Sequence, residues 1–131
     1  MKPCLLLDCY VEDDGAPQNF LPHFPAVPHA VIRAVRSGVP RSVGDYSAIV
    51  VTGSAGSVVT PEPWVRDLCR LVGDALAEDV PYLGVCFGHQ VLAHAAYAYH
   101  AYGYGTPVVI QVVGLTFPLG HGRLNPIRTC F

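Results

Sequence analysis

The sequence predicts an α/β fold built on a mostly parallel sheet, and three observations carry that prediction. Short apolar runs alternate with stretches of helical periodicity along the chain. Two of those runs end in small-residue loops, Thr52–Ser57 and Gly84–Gln90, which a parallel sheet brings out at one and the same edge. The second loop sets a cysteine between two glycines, Gly84-Val85-Cys86-Phe87-Gly88, between an apolar strand and the start of a helix. That frame turns the chain sharply and leaves its middle residue standing proud, as a nucleophile elbow does.

In chain order, Cys4–Leu7 reads as a buried first strand, with Asp8-Cys9-Tyr10 at its carboxyl end, where open α/β sheets place their ligand crevices. Val11–Phe24 is acidic, then punctuated by proline, and reads as loop. Pro28 suits a first helical position, Val27, Val31, Ala34 and Val35 make one apolar face and Gly38 a stop, which predicts a helix. Tyr46–Val51 is the second expected strand. Thr60 can cap and Pro61 open the next helix, in which Trp64, Leu68, Leu71, Val72, Ala75 and Leu76 recur at helical spacing opposite Arg66, Asp67, Arg70 and Asp74. Tyr82–Val85 follows as a third strand, 88–96 as a helix and Pro107–Val113 as a fourth, β-branched strand. This alternation places helices on both faces of the sheet.

A length of 131 residues bounds the chain to one domain, and 51% hydrophobic with 14% charged residues makes it a packed globule rather than a disordered segment. The net charge of −2, with no Lys or Arg between Lys2 and Arg33 or from Val80 to Gly122, gives no basis for binding nucleic acid or an anionic membrane. The aromatic run Tyr97–Gly105 therefore lacks the cations that base-stacking surfaces use. Glycine, proline, histidine and tyrosine interrupt the uncharged stretch 80–122, so no membrane span is expected there. Five cysteines without a C-x-x-C pair form neither a disulfide framework nor a zinc motif, and no metal or cofactor is expected. Leu5–Leu7 is too short for a signal sequence and is stopped by Asp8, which points to a reducing cytoplasm.

Cys4, Cys9, Cys69 and Cys130 read as small apolar fillers. Cys86 differs because its sulfur would face the unpaired N–H groups of the following helix, which favour a thiolate. A thiolate attacking a carbonyl creates an oxyanion that needs fixed donors, and the N–H groups of Gly53 and Phe87 are the candidates. Taken alone, Thr52–Ser57 fits a plain strand-to-helix connection or a phosphate nest equally well.

Val51-Thr52-Gly53-Ser54, then the amphipathic helix, then Pro81–Gln90 and Val91-Leu92-Ala93, resemble the class I glutamine amidotransferases, especially the branch similar to the glutaminase domain of GMP synthase. The resemblance covers residues 4–93. It implies a flavodoxin-like, doubly wound core that hydrolyses the side-chain amide of glutamine to glutamate and ammonia through a γ-glutamyl thioester. Ammonia in such enzymes passes to a synthetase partner or domain. By position, Cys86 matches the nucleophile, Gly53 and Phe87 the oxyanion donors, and Gly53, Ser54 and Gln90 the glutamine pocket. His89 matches a motif residue that is not the base.

The family's histidine, followed two residues on by glutamate, has no counterpart: no Asp or Glu follows Asp79. His94, His100 and His121 are the remaining downstream imidazoles, and His121, in Gly120-His121-Gly122-Arg123, is the candidate base. The chain is therefore expected to be a single partial domain over 1–131, family-like over 4–93 and atypical over 94–131. Its last third is expected to be a truncated, spliced or frame-shifted ending. Three functions follow as expectations: a glutaminase acting through Cys86, an inactive glutamine-binding or partner-regulating module, and another cysteine hydrolase or redox-sensing thiol of the same fold.

Overall fold

The structure, a computed structural model, describes residues 1–12, 16–24, 26, 28–101, 109–112 and 115–118. Strands β1 (Cys4–Asp8), β2 (His29–Arg33), β3 (Ala48–Val51) and β4 (Tyr82–Gly84) form one all-parallel sheet in the order β2-β1-β3-β4. The helices are α1 (Ala34–Ser37), α2 (Pro63–Ala77) and α3 (Phe87–Ala101). This is a flavodoxin-like α/β arrangement. β1 lies between β2 and β3 and is buried along its whole length, which is why it reads as an unbroken apolar run.

Alternate residues face opposite sides. Leu5, Leu7, Ile49 and Val51 pack with Val65, Leu68, Leu71, Val72 and Ala75 of α2 and with Phe87, Val91, Leu92, Ala95 and Ala96 of α3. Cys4, Leu6 and Val50 meet Phe20, Leu21 and Phe24 on the other face. There the layer is made by two 3-10 turns, Ala16–Asn19 and Leu21–His23, inside the stretch expected to be plain loop. Its prolines, Pro17 and Pro22, allow tight turns and forbid a long helix.

Three expectations are corrected. The helix expected from Pro28 is strand β2 over His29–Arg33, and only Ala34–Ser37 is helical. The run His29-Ala30-Val31-Ile32-Arg33 pairs in parallel with all five residues of β1, and the gain from sheet pairing of β-branched residues overrides the local helical spacing. Gly38 does end that short helix, at φ +78°, with its N–H donating to the Ala34 carbonyl.

Second, α2 begins at Pro63 behind Glu62 rather than at Thr60 and Pro61. A residue before proline is held extended, and Glu62, at ψ 163°, cannot be helical. The expected apolar face of α2 is otherwise the face it buries, with Val65 added and Trp64 half-buried at its start. Third, the strand at 107–113 appears as β5 (Val109–Val112). It pairs antiparallel with β6 (Leu115–Pro118) in a separate two-stranded sheet instead of extending the parallel one. Two intervening residues suffice for an antiparallel return but never for a parallel crossover. Among the described residues no helix is long and apolar enough to cross a membrane.

The order β2-β1-β3-β4 puts a topological switch point at β1 and β3, because the connections leaving these neighbours run to opposite sides of the sheet. The segments that follow β1, β3 and β4 therefore line one carboxyl edge.

Candidate active site

Cys86 sits at φ +53°, in the left-handed region that L side chains seldom occupy, and it is exposed. Its neighbours enforce that strain. The Val85 N–H donates to the Val51 carbonyl (3.0 Å) and the Gly88 N–H to the Val85 carbonyl (3.0 Å), while His89 and Gln90 both donate to the Cys86 carbonyl (3.0 and 3.1 Å). The flanking glycines are needed for contact: a methyl group added at Gly84 would overlap the Gly88 backbone, and one at Gly88 would lie 2.5 Å from the Val51 carbonyl oxygen. The Tyr82 hydroxyl braces the turn from below by donating to the Gly88 carbonyl at 2.6 Å. Burial, with smaller contributions from Cys9 and Cys69, holds that phenol protonated well above the usual tyrosine range.

The loop after β3 is tied to the end of β1. Thr52 is buried, and its Oγ1 accepts the Cys9 N–H (2.9 Å) and donates to the Gly53 carbonyl (2.9 Å), while its own N–H donates to the Leu7 carbonyl (3.2 Å). Ser54 Oγ accepts the Gly56 N–H at 2.9 Å, closing a turn. Trp64 joins this loop to the elbow: its ring lies 3.1 Å from the place a Cβ on Gly56 would occupy, and it tilts against the Phe87 ring with centroids 5.7 Å apart. A Cβ at Gly53 would lie 3.8 Å from the Cβ of Cys86 and 3.3 Å from the Tyr10 hydroxyl. Thus Tyr10 and Cys86 both lie close against Gly53.

The N–H groups of Gly53 and Phe87 donate to no described acceptor. The Phe87 side chain, 1% exposed, anchors its backbone in the core. Gln90 is half-buried in the first turn of α3, and Ser54 is half-buried with its hydroxyl oxygen engaged by Gly56. Among the described residues no side chain hydrogen-bonds the Cys86 sulfur. His89 turns a buried Nε2 into the protein, where it has no described partner, and His94 is exposed on α3. The candidate base His121 lies outside the described residues, as does the side chain of His100. No group of three His, Cys, Asp or Glu among the described residues converges as a metal site.

The thiols are sharply differentiated. Burial, and then the neighbouring Asp8 carboxylate, push Cys9 up to about 12, and burial raises Cys4 and Cys69 as well. Cys86 is the one exposed thiol among the described cysteines. Sequence reasoning missed the roles of Tyr10, Thr52 Oγ1, Tyr82 and Trp64. A signal existed for Tyr10, which stands at the carboxyl end of a predicted strand, but the reach of the other side chains depends on packing.

A family model of glutamine amidotransferase class-I matches residues 30–123. The chain is 40% identical over 54 residues to a glutamine amidotransferase-like protein of Schizosaccharomyces pombe, covering 40% of this chain and 22% of that protein. It is 30% identical over 64 residues to γ-glutamyl peptidase 2 of Arabidopsis thaliana, covering 47% and 26% respectively. A solved glutamine amidotransferase of Methylobacillus flagellatus superposes with TM-score 0.61 at 32% identity, over 72% of this chain and 39% of that one. A solved glutamine amidotransferase of Thermotoga maritima superposes with TM-score 0.53 at 21% identity, over 72% and 43%, a likeness of fold. The chain thus spans about a quarter of the curated relatives it matches and about two fifths of the solved ones.

Proposed function

Since this chain belongs to the class I glutamine amidotransferase family, we propose that Cys86 attacks the side-chain amide of glutamine and that Gly53 and Phe87 hold the resulting oxyanion. The observation that carries this reading is a strained, exposed cysteine at φ +53°, next in the chain to Phe87 and close to Gly53, two residues whose backbone N–H groups have no acceptor among the described residues. The thiolate adds to the carbonyl carbon, a C–S bond forms and the π pair moves to oxygen. Collapse re-forms the carbonyl and breaks the C–N bond, and the departing nitrogen takes a proton to leave as ammonia. Water then adds to the γ-glutamyl thioester, giving glutamate and returning the thiol. Ser54, in the loop after β3, and Gln90, in the first turn of α3, would contact the substrate.

With no imidazole on the sulfur among the described residues, protons pass through water in this reading, and turnover is slow. Oxyanion donors and binding alone leave a residue of catalysis when a base is missing. The test is ammonia release from glutamine by the wild type and by Cys86→Ser: a rate that vanishes in the variant supports the reading, and equal rates end it. That no described side chain hydrogen-bonds the Cys86 sulfur favours a second reading, a glutamine-binding module that does not turn over. It predicts that glutamine raises the melting temperature without ammonia appearing.

A further inference from the structure

We infer that the Tyr10 hydroxyl is a third hydrogen-bond donor to the carbonyl oxygen that Cys86 attacks. The inference rests on the reading of Cys86 as a nucleophile toward a carbonyl and adds a side-chain donor that the backbone pair lacks. Four observations carry it. Tyr10 follows β1, and a parallel sheet of this order gathers its ligands at the carboxyl ends of β1 and β3. The hydroxyl and the Cys86 side chain both approach one point beside Gly53, since the position of a Gly53 Cβ would lie 3.3 Å from the hydroxyl oxygen and 3.8 Å from the Cys86 Cβ.

The residue is also held there. Its N–H donates to Asp8 Oδ1 at 3.0 Å, and the preceding Cys9 N–H is fixed on Thr52 Oγ1, so one threonine ties the Tyr10 segment and the Gly53 segment together. Finally, the hydroxyl of the half-buried Tyr10 has no hydrogen-bond partner among the described residues, whereas Tyr82, at the start of β4, spends its hydroxyl on the Gly88 carbonyl. A phenol O–H held by its backbone yet left unpaired beside a nucleophile is a donor ready for a ligand. It differs from a backbone N–H in being removable by one substitution that keeps the ring over Gly53.

The test compares two small reagents on Cys86, followed by mass spectrometry of the labelled peptide. Chloroacetone alkylates the thiolate beside a carbonyl group, the C–S bond forming as chloride leaves. Methyl methanethiosulfonate forms a mixed disulfide with loss of methanesulfinate and carries no carbonyl. In Tyr10→Phe the ratio of the chloroacetone rate to the thiosulfonate rate falls about fivefold, the value of one neutral hydrogen bond. Tyr10→Leu, lacking ring and hydroxyl, lowers the ratio at least as far. A ratio that stays at the wild-type value in both variants overturns the inference. The glutamine reading is judged separately, in the wild type, by a chloroketone bearing the α-amino acid head of glutamine. If it labels Cys86 no faster than chloroacetone, glutamine is not the substrate, while the ratio still decides the role of Tyr10.

Discussion

Cys86 owes its exposure to a strained backbone angle that Gly84 and Gly88 permit and the Tyr82 hydroxyl supports. Gly84→Ala forces a methyl group into the Gly88 backbone, which has no rotamer to give, and is expected to lower stability by about 2–3 kcal/mol in urea titrations. Gly53→Ala is the opposite case. Its methyl group presses only on the movable tip of Tyr10 (3.3 Å) and meets the Cys86 Cβ at ordinary contact distance (3.8 Å), so the fold should survive within about 1 kcal/mol while labelling of Cys86 slows, because the methyl group crowds the thiol. Cys9, the most shifted of the buried thiols, contributes to the alkaline pH behaviour beside Cys4, Cys69 and Tyr82, whose protons burial also retains. Below the ordinary thiol value of 9.0 both folded and unfolded chains keep its proton. Above it the unfolded chain ionises while the folded one resists until about 12, so this contribution to stability is lost as pH rises through that window. Melting curves between pH 8 and pH 11 (roughly spanning that window) should flatten in Cys9→Ala.

The helix α2 was legible because Leu68, Leu71, Val72 and Ala75, four of its five buried positions, recur at helical spacing with Trp64 and Leu76. Leu68, fully buried between sheet and helices, should cost about 2–5 kcal/mol when cut to alanine. The helix ends on Asp79 at φ +55°, with the Val80 N–H returning to the Ala75 carbonyl, a Schellman closure whose left-handed residue is usually glycine. Asp79→Gly should therefore stabilise the protein by about 1 kcal/mol, and a lower denaturation midpoint would contradict this account of the helix end. β2 was misread as helix for the converse reason. Its spacing of Val27, Val31, Ala34 and Val35 suited a helix, but its partner β1 is distant in sequence, and pairing energy of that kind leaves no local trace.

At the scale of the molecule, the described residues cover the two faces of the sheet unequally. Beside the 3-10 turns lies an open apolar cavity of about 400 Å³ lined by Cys4, Phe20, Phe24, Ala48, Val50 and Leu83, with Leu83 53% exposed on the edge strand β4. Apolar openings of this kind bind hydrophobic dyes and promote association. The folded protein should therefore enhance the fluorescence of anilinonaphthalene sulfonate, and Leu83→Lys should reduce it. Undiminished fluorescence in that variant would place the dye elsewhere.

The sequence by itself determined the parallel α/β class, the amphipathic α2, the elbow at Cys86 and the loop at Gly53. Each of these is written in local signals: periodicity, apolar runs and the glycine frame of a tight turn. Only the tertiary structure decided that 29–33 is a strand, that 109–112 pairs antiparallel, and that Tyr10 joins Gly53 and Cys86. Those facts depend on contacts between segments far apart in the chain. A sheet order of β2-β1-β3-β4 brings together the carboxyl ends of three strands, at Asp8, Val51 and Gly84, that lie far apart in the chain, and no local pattern records that Tyr10 reaches the loop at Gly53.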